Sequence, residues 1–544
     1  MISAPDLPYG TVVEQLAEVI TDSGCRDMFT LMGAGNVWLI HHLATSHGVR
    51  VHHLRHENGA VGAADGLARS TGDVAWCTVT QGPGFTNALT ALLTAHRGKS
   101  PIIFIVSDSS NLDPQRFPFA GSVQALAPEA LLHPLGIQTI RADGARAPQQ
   151  LREAVARARR EQRPMVFITP AGLDKVPAAV PTPEAPPPGD GSAPGEGTAW
   201  MRELPGAAEL LLRRGRVVVL AGRGAAAAAE QVAEVSELLG ARIATSVPAS
   251  GLLAEHPHIM GPFGGFSIDA TEHEIVAADA LLVVGASLNL FQTRTGSFLE
   301  GKRIVRVDTD PNAVGDVVLV GDAKVVLGEL ADEMRAQGAR RRTLEPLPWP
   351  GLHDDTTKPG LLDPRRISME LDEVLPGNRR VFVDNGHFGA FPILWMRHRR
   401  ERALIWLPEF GAVGSALAAS FASAAVDGSV QSVLFIGDSG LYMTLGDLET
   451  VVREKVPLIV VCMNDGAAGS ELIHMGDWGV PGDQAIFGYN DIAALAAGMG
   501  AQSALISETG QSAHAVAAWD RTAGPLVLDV HIGREVRSPI YDHA

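Results

Sequence analysis

The chain has 544 residues, more than one hydrophobic core usually supports, so two to four domains are expected. Its 46% apolar and 19% charged content excludes a disordered chain. With 44 basic against 61 acidic side chains, a net charge of −17 and no Lys/Arg-rich stripe, a nucleic-acid partner is disfavoured.

No apolar run is long enough to span a bilayer. The opening Met1-Ile2-Ser3-Ala4-Pro5-Asp6 has no basic region leading into an apolar stretch, so a cytoplasmic protein with no membrane partner is expected. Cys25, Cys77 and Cys462 lie too far apart for a disulfide framework or a zinc-ligand set and read as buried thiols. Two Pro/Gly-rich connectors, 176–200 and 341–365, divide the chain into blocks 1–175, 201–340 and 366–544. In each block, β-rich runs end in glycine turns and lead into Ala/Leu-rich helical stretches. That rhythm predicts an α/β fold of three doubly wound domains with mainly parallel sheets. Ligands in such sheets sit at the carboxyl ends of strands, where the glycine turns fall.

In the first block, Arg55-His56-Glu57-Asn58-Gly59-Ala60 opens an Ala/Gly-rich helix running to Arg69. Taken alone, Glu57 is a favourable charge at the positive end of a helix. The strand Val74–Thr80 then runs into Gln81-Gly82-Pro83-Gly84-Phe85-Thr86-Asn87. His41, His42, His52 and His53 come in pairs without metal-ligand spacing and read as structural. In the second block, Val217–Leu220 meets Gly222-Arg223-Gly224, and Val283-Val284-Gly285 and Asp308-Thr309-Asp310-Pro311 follow. Gly222-Arg223-Gly224 reads as a tight strand-to-helix turn.

In the third block, Val381-Phe382-Val383-Asp384 leads to Asn385-Gly386-His387, and Val433–Ile436 leads to Gly437-Asp438-Ser439-Gly440. A second apolar strand, Pro457–Met463, delivers Asn464-Asp465-Gly466 to the same edge. A carboxylate directly after a buried strand, beside free backbone N–H groups, suits Mg²⁺ bridged to a phosphate, because Mg²⁺ prefers hard oxygen ligands. Alone, the Gly-Asp-Ser-Gly turn is equally a strand end in which Asp438 caps a helix.

The paired turns of the third block, with Arg55-His56-Glu57 and the Gly82-Pro83-Gly84 turn of the first, resemble the thiamine-diphosphate-dependent enzymes, most closely their acetolactate synthase-like branch. The resemblance spans essentially the whole chain. It implies thiamine diphosphate and Mg²⁺ as cofactors, with Asp438 and Asp465 and the backbone carbonyl of Ala467 as metal ligands. Asp465 stands where the family has an amide. A register shifted by one makes Asn464 and Gly466 the ligands instead. Gly82, Ser439, Gly440, Asn385, Gly386 and His387 would line the cofactor. Glu57 would hydrogen-bond the aminopyrimidine ring and favour the tautomer that removes the thiazolium C2 proton. Val413 would prop the bent cofactor, and the Gly411 carbonyl would meet its exocyclic amine. Glu471, six residues beyond Asp465, matches a proton-handling glutamate of the decarboxylases. Its pKa would rise if it were buried. The family's shared sites imply a homodimer or homotetramer, and FAD is not expected in the central domain.

The implied activity is C–C bond cleavage or carboligation on a 2-keto acid or related small carbonyl substrate. Pyruvate decarboxylases carry an acidic residue where Ala34 stands and a His pair where Ala120-Gly121 stands. Synthases carry a Gln near Ala120. Simple pyruvate decarboxylation is therefore disfavoured, and a pocket with Phe117 and Phe119 nearby is expected to be apolar. A 2-hydroxyacyl-CoA lyase is the alternative. That family carries a basic C-terminal lid, and none is expected after Glu535-Val536-Arg537, which counts against this alternative. A catalytically idle regulatory subunit is the alternative of another class, and the intact Glu57 speaks against it.

Overall fold

A computed structural model of the chain describes residues 10–110, 123–178, 200–352 and 357–541. Phe117, Phe119, Ala120 and Gly121 lie outside the described residues.

Three six-stranded sheets, all parallel, organise the chain. The first contains β1 (Asp27–Leu31), β2 (Arg50–His53), β3 (Ala75–Val79), β4 (Ile102–Asp108), β5 (Gln138–Arg141) and β6 (Met165–Pro170). The second contains β7 (Val217–Ala221), β8 (Arg242–Thr245), β9 (Ile259–Pro262), β10 (Ala280–Val284), β11 (Arg303–Asp308) and β12 (Val317–Val320). The third contains β13 (Arg379–Val383), β14 (Leu404–Trp406), β15 (Gln431–Gly437), β16 (Ile459–Asn464), β17 (Gln502–Ile506) and β18 (Leu526–His531). The central strands β3, β4, β10, β15 and β16 are buried at every position, so they read as continuous apolar runs rather than alternating ones. The three cysteines are free and buried. Among the described residues, no helix is long and apolar enough to cross a membrane.

Strand order separates the sheets. The first is β2-β1-β3-β4-β6-β5 and the third β14-β13-β15-β16-β18-β17, the same order counted from each sheet's own start. The second, β12-β11-β10-β7-β8-β9, has the order of dinucleotide-binding folds. Its Gly222-Arg223-Gly224 turn is closed by backbone, because Gly224 N–H donates to the Gly285 carbonyl at 3.1 Å. Arg223 leaves the turn and donates to the Gly98 carbonyl of the first domain at 2.8 Å. This glycine turn therefore docks one domain on another.

The first and third domains share one continuous apolar core. At its centre the helix Glu57–Thr71 packs on the helix Ala416–Val426. Each follows the second strand of its sheet, so equivalent helices of two like-built domains face one another. The approach is close because small residues line it. A Cβ on Gly66 would lie 2.3 Å from Ala419 Cα, and one on Gly62 3.8 Å from the Ser415 carbonyl oxygen. Polar contacts frame this seam. The Arg55 N–H donates to Asp447 Oδ1 at 2.9 Å, and half-buried Arg69 pairs with Asp65 at 2.9 Å and Glu409 at 2.7 Å. His52 sits between Asp27 (2.9 Å) and Glu454 (2.7 Å), stacked on Phe29 and edge-on to Phe421.

Two outcomes test this seam. Gly66→Ala places a methyl group against backbone and should lower stability by about 1–3 kcal/mol, read from denaturant midpoints. Burial pushes the His52 pKa down, but hydrogen bonds to Asp27 and Glu454 raise it above its ordinary value. A group so raised stabilises the fold fully below its unfolded value of about 6.5 and loses that contribution as pH rises through the folded value. The melting gap between the parent and His52→Gln should therefore be widest below about pH 6.5 and narrow as pH rises above it. A gap that ignores pH excludes the charged bridge.

Candidate active site

The sharp turns at the carboxyl edge of the third sheet decide which groups face outward there. Asp438 directly follows β15 and is buried, while Ser439 beside it is half-buried. Gly440 is required by space, since a Cβ there would lie 2.6 Å from Asp384 Oδ2 and 3.4 Å from Val413 Cγ1. β16 delivers Asn464 and Asp465, and these two side chains part company. Asn464 is fully buried and donates to Asp529 Oδ1 at 2.9 Å and to the Asn490 carbonyl at 3.1 Å. The carbonyl of Gly466 accepts the N–H groups of Phe487 (2.8 Å) and Gly488 (2.9 Å). Asn464 Oδ1 in turn accepts the Gly466 N–H at 3.2 Å, so both oxygens of the shifted register carry hydrogen bonds within the fold.

Asp465 uses one oxygen to accept the Ala467 N–H at 3.0 Å. Its other oxygen would lie 2.4 Å from a Cβ on Gly469, so the next helix (Gly469–Asp477) begins hard against it. Burial raises the Asp438 pKa to about 6, with Asp529 adding to the rise. Burial and then the charge of Asp438 raise Asp465 to about 7. Two carboxylates that each resist ionisation at one edge describe a place poor in positive charge and rich in hard oxygen donors. Among the described residues there is no group of three or more His, Cys, Asp and Glu side chains that could hold a metal ion. A metal here would take backbone oxygen as well.

The loop before the helix Ala416–Val426 is held from below. Asp384, buried at the end of β13 and raised to about 6 by burial, accepts the N–H groups of Gly414 (2.7 Å) and Ala416 (3.2 Å). The Asn385 amide donates to the carbonyls of Leu407 (2.8 Å) and Ala412 (2.6 Å). These contacts present Gly411 and Val413, the latter 39% exposed, on the outer face. The Asn385 amide is therefore spent on the loop rather than left for a ligand. Gly386 is exposed at the same turn. His387 is buried, and its Nε2 accepts the Ser538 N–H at 2.9 Å. Burial, helped by Arg537, lowers it to about 4, so it is a neutral imidazole facing the C-terminal segment.

In the first domain, Glu57 opens its helix half-buried and accepts a hydrogen bond from Asn87 Nδ2 at 3.0 Å. Its Oε1 lies 3.7 Å from where a Cβ of Gly84 would stand. Gly82, with φ +60°, turns the chain toward Gln124, whose carbonyl oxygen would lie 2.9 Å from a Cβ there. Thr80 Oγ1 donates to Gln81 Oε1 (2.8 Å), and Gln81 Nε2 donates to Gln124 Oε1 (3.0 Å). Ala34 and Gly35 adjoin Gln81 in one crevice of about 170 Å³. An amide pair, Gln81 and Gln124, thus stands beside this crevice. Sequence reading gave no role to Gln124. It also gave no role to Asp384 or Asp529, although a carboxylate ending or interrupting an apolar strand is a visible signal.

Glu471 lies exposed in the first turn of the helix Gly469–Asp477, so the burial expected of it is absent within a single chain. His474 stacks on Trp478. Among the described residues, no hydrogen bond or ion pair links Glu57 to Asp438, Asp465 or Gly411.

The description "Thiamine pyrophosphate enzyme, N-terminal TPP binding domain" matches residues 10–125, the central-domain description 204–330, and the C-terminal TPP-binding description 386–530. The chain is 24% identical to sulfoacetaldehyde acetyltransferase from Castellaniella defragrans, covering 85% of this chain and 82% of that protein. It is 25% identical to acetolactate synthase from Mycobacterium avium, covering 84% and 76%. Benzoylformate decarboxylase from Polynucleobacter necessarius shares the fold, with a TM-score of 0.80 at 19% identity over 97% of this chain and 99% of that one. Three matched domains in order, laid over three parallel sheets, show that the chain belongs to the thiamine pyrophosphate enzymes, in their acetolactate synthase-like branch.

Proposed function

We propose that the chain binds thiamine diphosphate with Mg²⁺ and breaks or forms a C–C bond beside the carbonyl of a 2-keto acid or a related compound. The observation that carries this reading is the division of labour at the end of β16. Asn464 Oδ1 and the Gly466 carbonyl each accept N–H groups within the fold, whereas Asp465 keeps one carboxylate oxygen beside Asp438 for a donor pair. The residues fit the cofactor: hard oxygen donors suit Mg²⁺, a Cβ on Gly469 would crowd Asp465, and one on Gly440 would crowd Asp384 beneath the turn. Asp438, Asp465 and the Ala467 carbonyl would hold the metal, with Ser439 and Gly440 beside the diphosphate.

When bound, thiamine diphosphate supplies the nucleophilic carbon and the electron sink for C–C chemistry, and the protein supplies binding, orientation and proton control. Glu57, steadied by Asn87, holds a proton at the pyrimidine ring. Val413 offers an apolar prop and Gly411 a carbonyl, both set by Asp384. Glu471 serves as a proton-handling group once a neighbour buries it. A second copy of the chain completes each site, bringing Glu57 of one subunit to the Asp438 edge of the other. The exposed Tyr442 (42%) and Met443 (69%) beside that edge support such a covered face.

Calorimetry with thiamine diphosphate and Mg²⁺ should show tight binding that requires both, and no binding would end this reading. Glu57→Gln should bind nearly as well as the parent but lose hydrogen–deuterium exchange at cofactor C2; normal exchange excludes its activating role. A panel of 2-keto acids, aldehydes and acyl-CoAs, analysed for carbon dioxide and ligation products, identifies the substrate class. Without metal, Asp438 and Asp465 keep protons in the folded chain at pH values where unfolded carboxyls, at about 3.9, have lost them. Stability should therefore fall as pH rises from about 4 toward about 7, and Asp465→Asn should flatten that fall. Parallel pH profiles would exclude the burial of Asp465 seen here.

A further inference from the structure

Two carboxylates cancel the whole charge of a divalent cation. With Asp465 where the family resemblance expects an amide, a metal held by Asp438 and Asp465 offers a diphosphate no net positive charge. An anionic ligand at this edge needs a cation from elsewhere in the chain.

The segment after β18 supplies one. The Ile532 N–H donates to the Asn464 carbonyl at 2.9 Å, fixing this segment against the end of β16. Tyr489 reaches across, donating its hydroxyl to the Ile532 carbonyl at 3.0 Å, and the Arg534 guanidinium carbon lies 5.1 Å from the centre of its ring. Tyr489 is itself pressed onto the metal-site turn. A Cβ on Gly466 would lie 2.7 Å from Gly488 C and 2.9 Å from Tyr489 N, and with φ +61° only glycine is at ease there. Arg534 is thus tethered, through one aromatic ring, to the turn that carries Asp465. The neighbouring charges are engaged elsewhere: Glu535 with Lys358 at 2.7 Å, and Arg537 with Asp477 at 2.7 and 2.9 Å. Among the described residues, Arg534 forms no ion pair with a carboxylate, yet its positive charge favours the ionised form of both Asp438 and Asp465.

We propose that Arg534 is a cofactor-binding residue that restores the positive charge Asp465 removes, presenting its guanidinium to the diphosphate of the bound cofactor. A planar guanidinium suits this task, because it gives phosphate oxygens parallel charge-assisted hydrogen bonds while its face rests on Tyr489. The proposal rests on the cofactor reading above and adds a residue outside the paired glycine turns. It also makes the departure at Asp465 and the cation at Arg534 a compensating pair.

Calorimetry of the full chain with thiamine diphosphate and Mg²⁺ tests it through a double-mutant cycle. Arg534→Gln should weaken binding by about tenfold or more. The same change in an Asp465→Asn background should cost less than about threefold, because the metal then keeps a charge for the diphosphate. Arg534→Lys, which retains charge without the fork, should fall between the parent and Arg534→Gln. It also provides the measurement if the glutamine variant does not fold. Unchanged binding in both Arg534 variants, or equal losses in the two backgrounds, overturns the proposal. Absence of binding by the parent overturns the cofactor reading and this proposal together, whereas a failure confined to the Arg534 variants leaves that reading standing.

Discussion

The contact between the helices Glu57–Thr71 and Ala416–Val426 is the constraint on which the rest of the site depends. Gly66 against Ala419 lets two backbones meet where any larger residue would part them. Glu57 begins one helix, and the Gly411–Ser415 loop leads into the other. A change in helix separation therefore moves both elements at once. Because the two helices hold equivalent positions in sheets of the same strand order, one packing solution positions the heads of both domains. The shared apolar core makes the pair a single body, and the His52 and Arg69 bridges set its orientation.

The third-domain edge shows how buried polar groups are sorted by their partners. Asn464 ends β16 and Asp465 is the next residue, and their side chains find different partners. Asn464 meets Asp529 and the loop at Asn490, and its amide is satisfied there. Asp465 is a carboxylate beside a second carboxylate, raised in pKa by burial and by its neighbour. Unpaired buried charge is costly, and such cost is commonly found where a ligand is to be bound. Asp384 plays the opposite part. Its charge is met by backbone N–H groups, and it shapes the loop that presents Val413.

The central domain carries a strand order associated with dinucleotides, but its glycine turn is put to another use. Gly222 and Gly224 close on Gly285, and Arg223 caps the Gly98 carbonyl of the first domain. The same small residues that let a turn approach a phosphate also let it approach another backbone. A glycine motif therefore carries its meaning only in its surroundings.

Much of this was legible in the chain itself. Apolar runs buried on both faces announce parallel strands, the glycine turns mark the carboxyl edges, and the spacing of Asp438 and Asp465 brings out the paired turns. These signals are local and repeat in every block, and a parallel sheet leaves few other ways to bury them. Side-chain partnership was not legible. In sequence Asp465 stands as the ligand with Asn464 as the alternative in a shifted register, and the packing of Asp529, Asn490 and Gly488 around the turn gives the two side chains different partners. Gln124 meets Gln81 across 43 positions, and Arg534 reaches the Asp465 turn through Tyr489. The sequence by itself determined the three-domain parallel architecture and its family, because strand burial and turn geometry are encoded within a few neighbouring residues. Only the tertiary structure decided which carboxylate faces outward, what Arg223 and His387 are bound to, and where a compensating charge stands, because those depend on contacts between segments far apart in the chain.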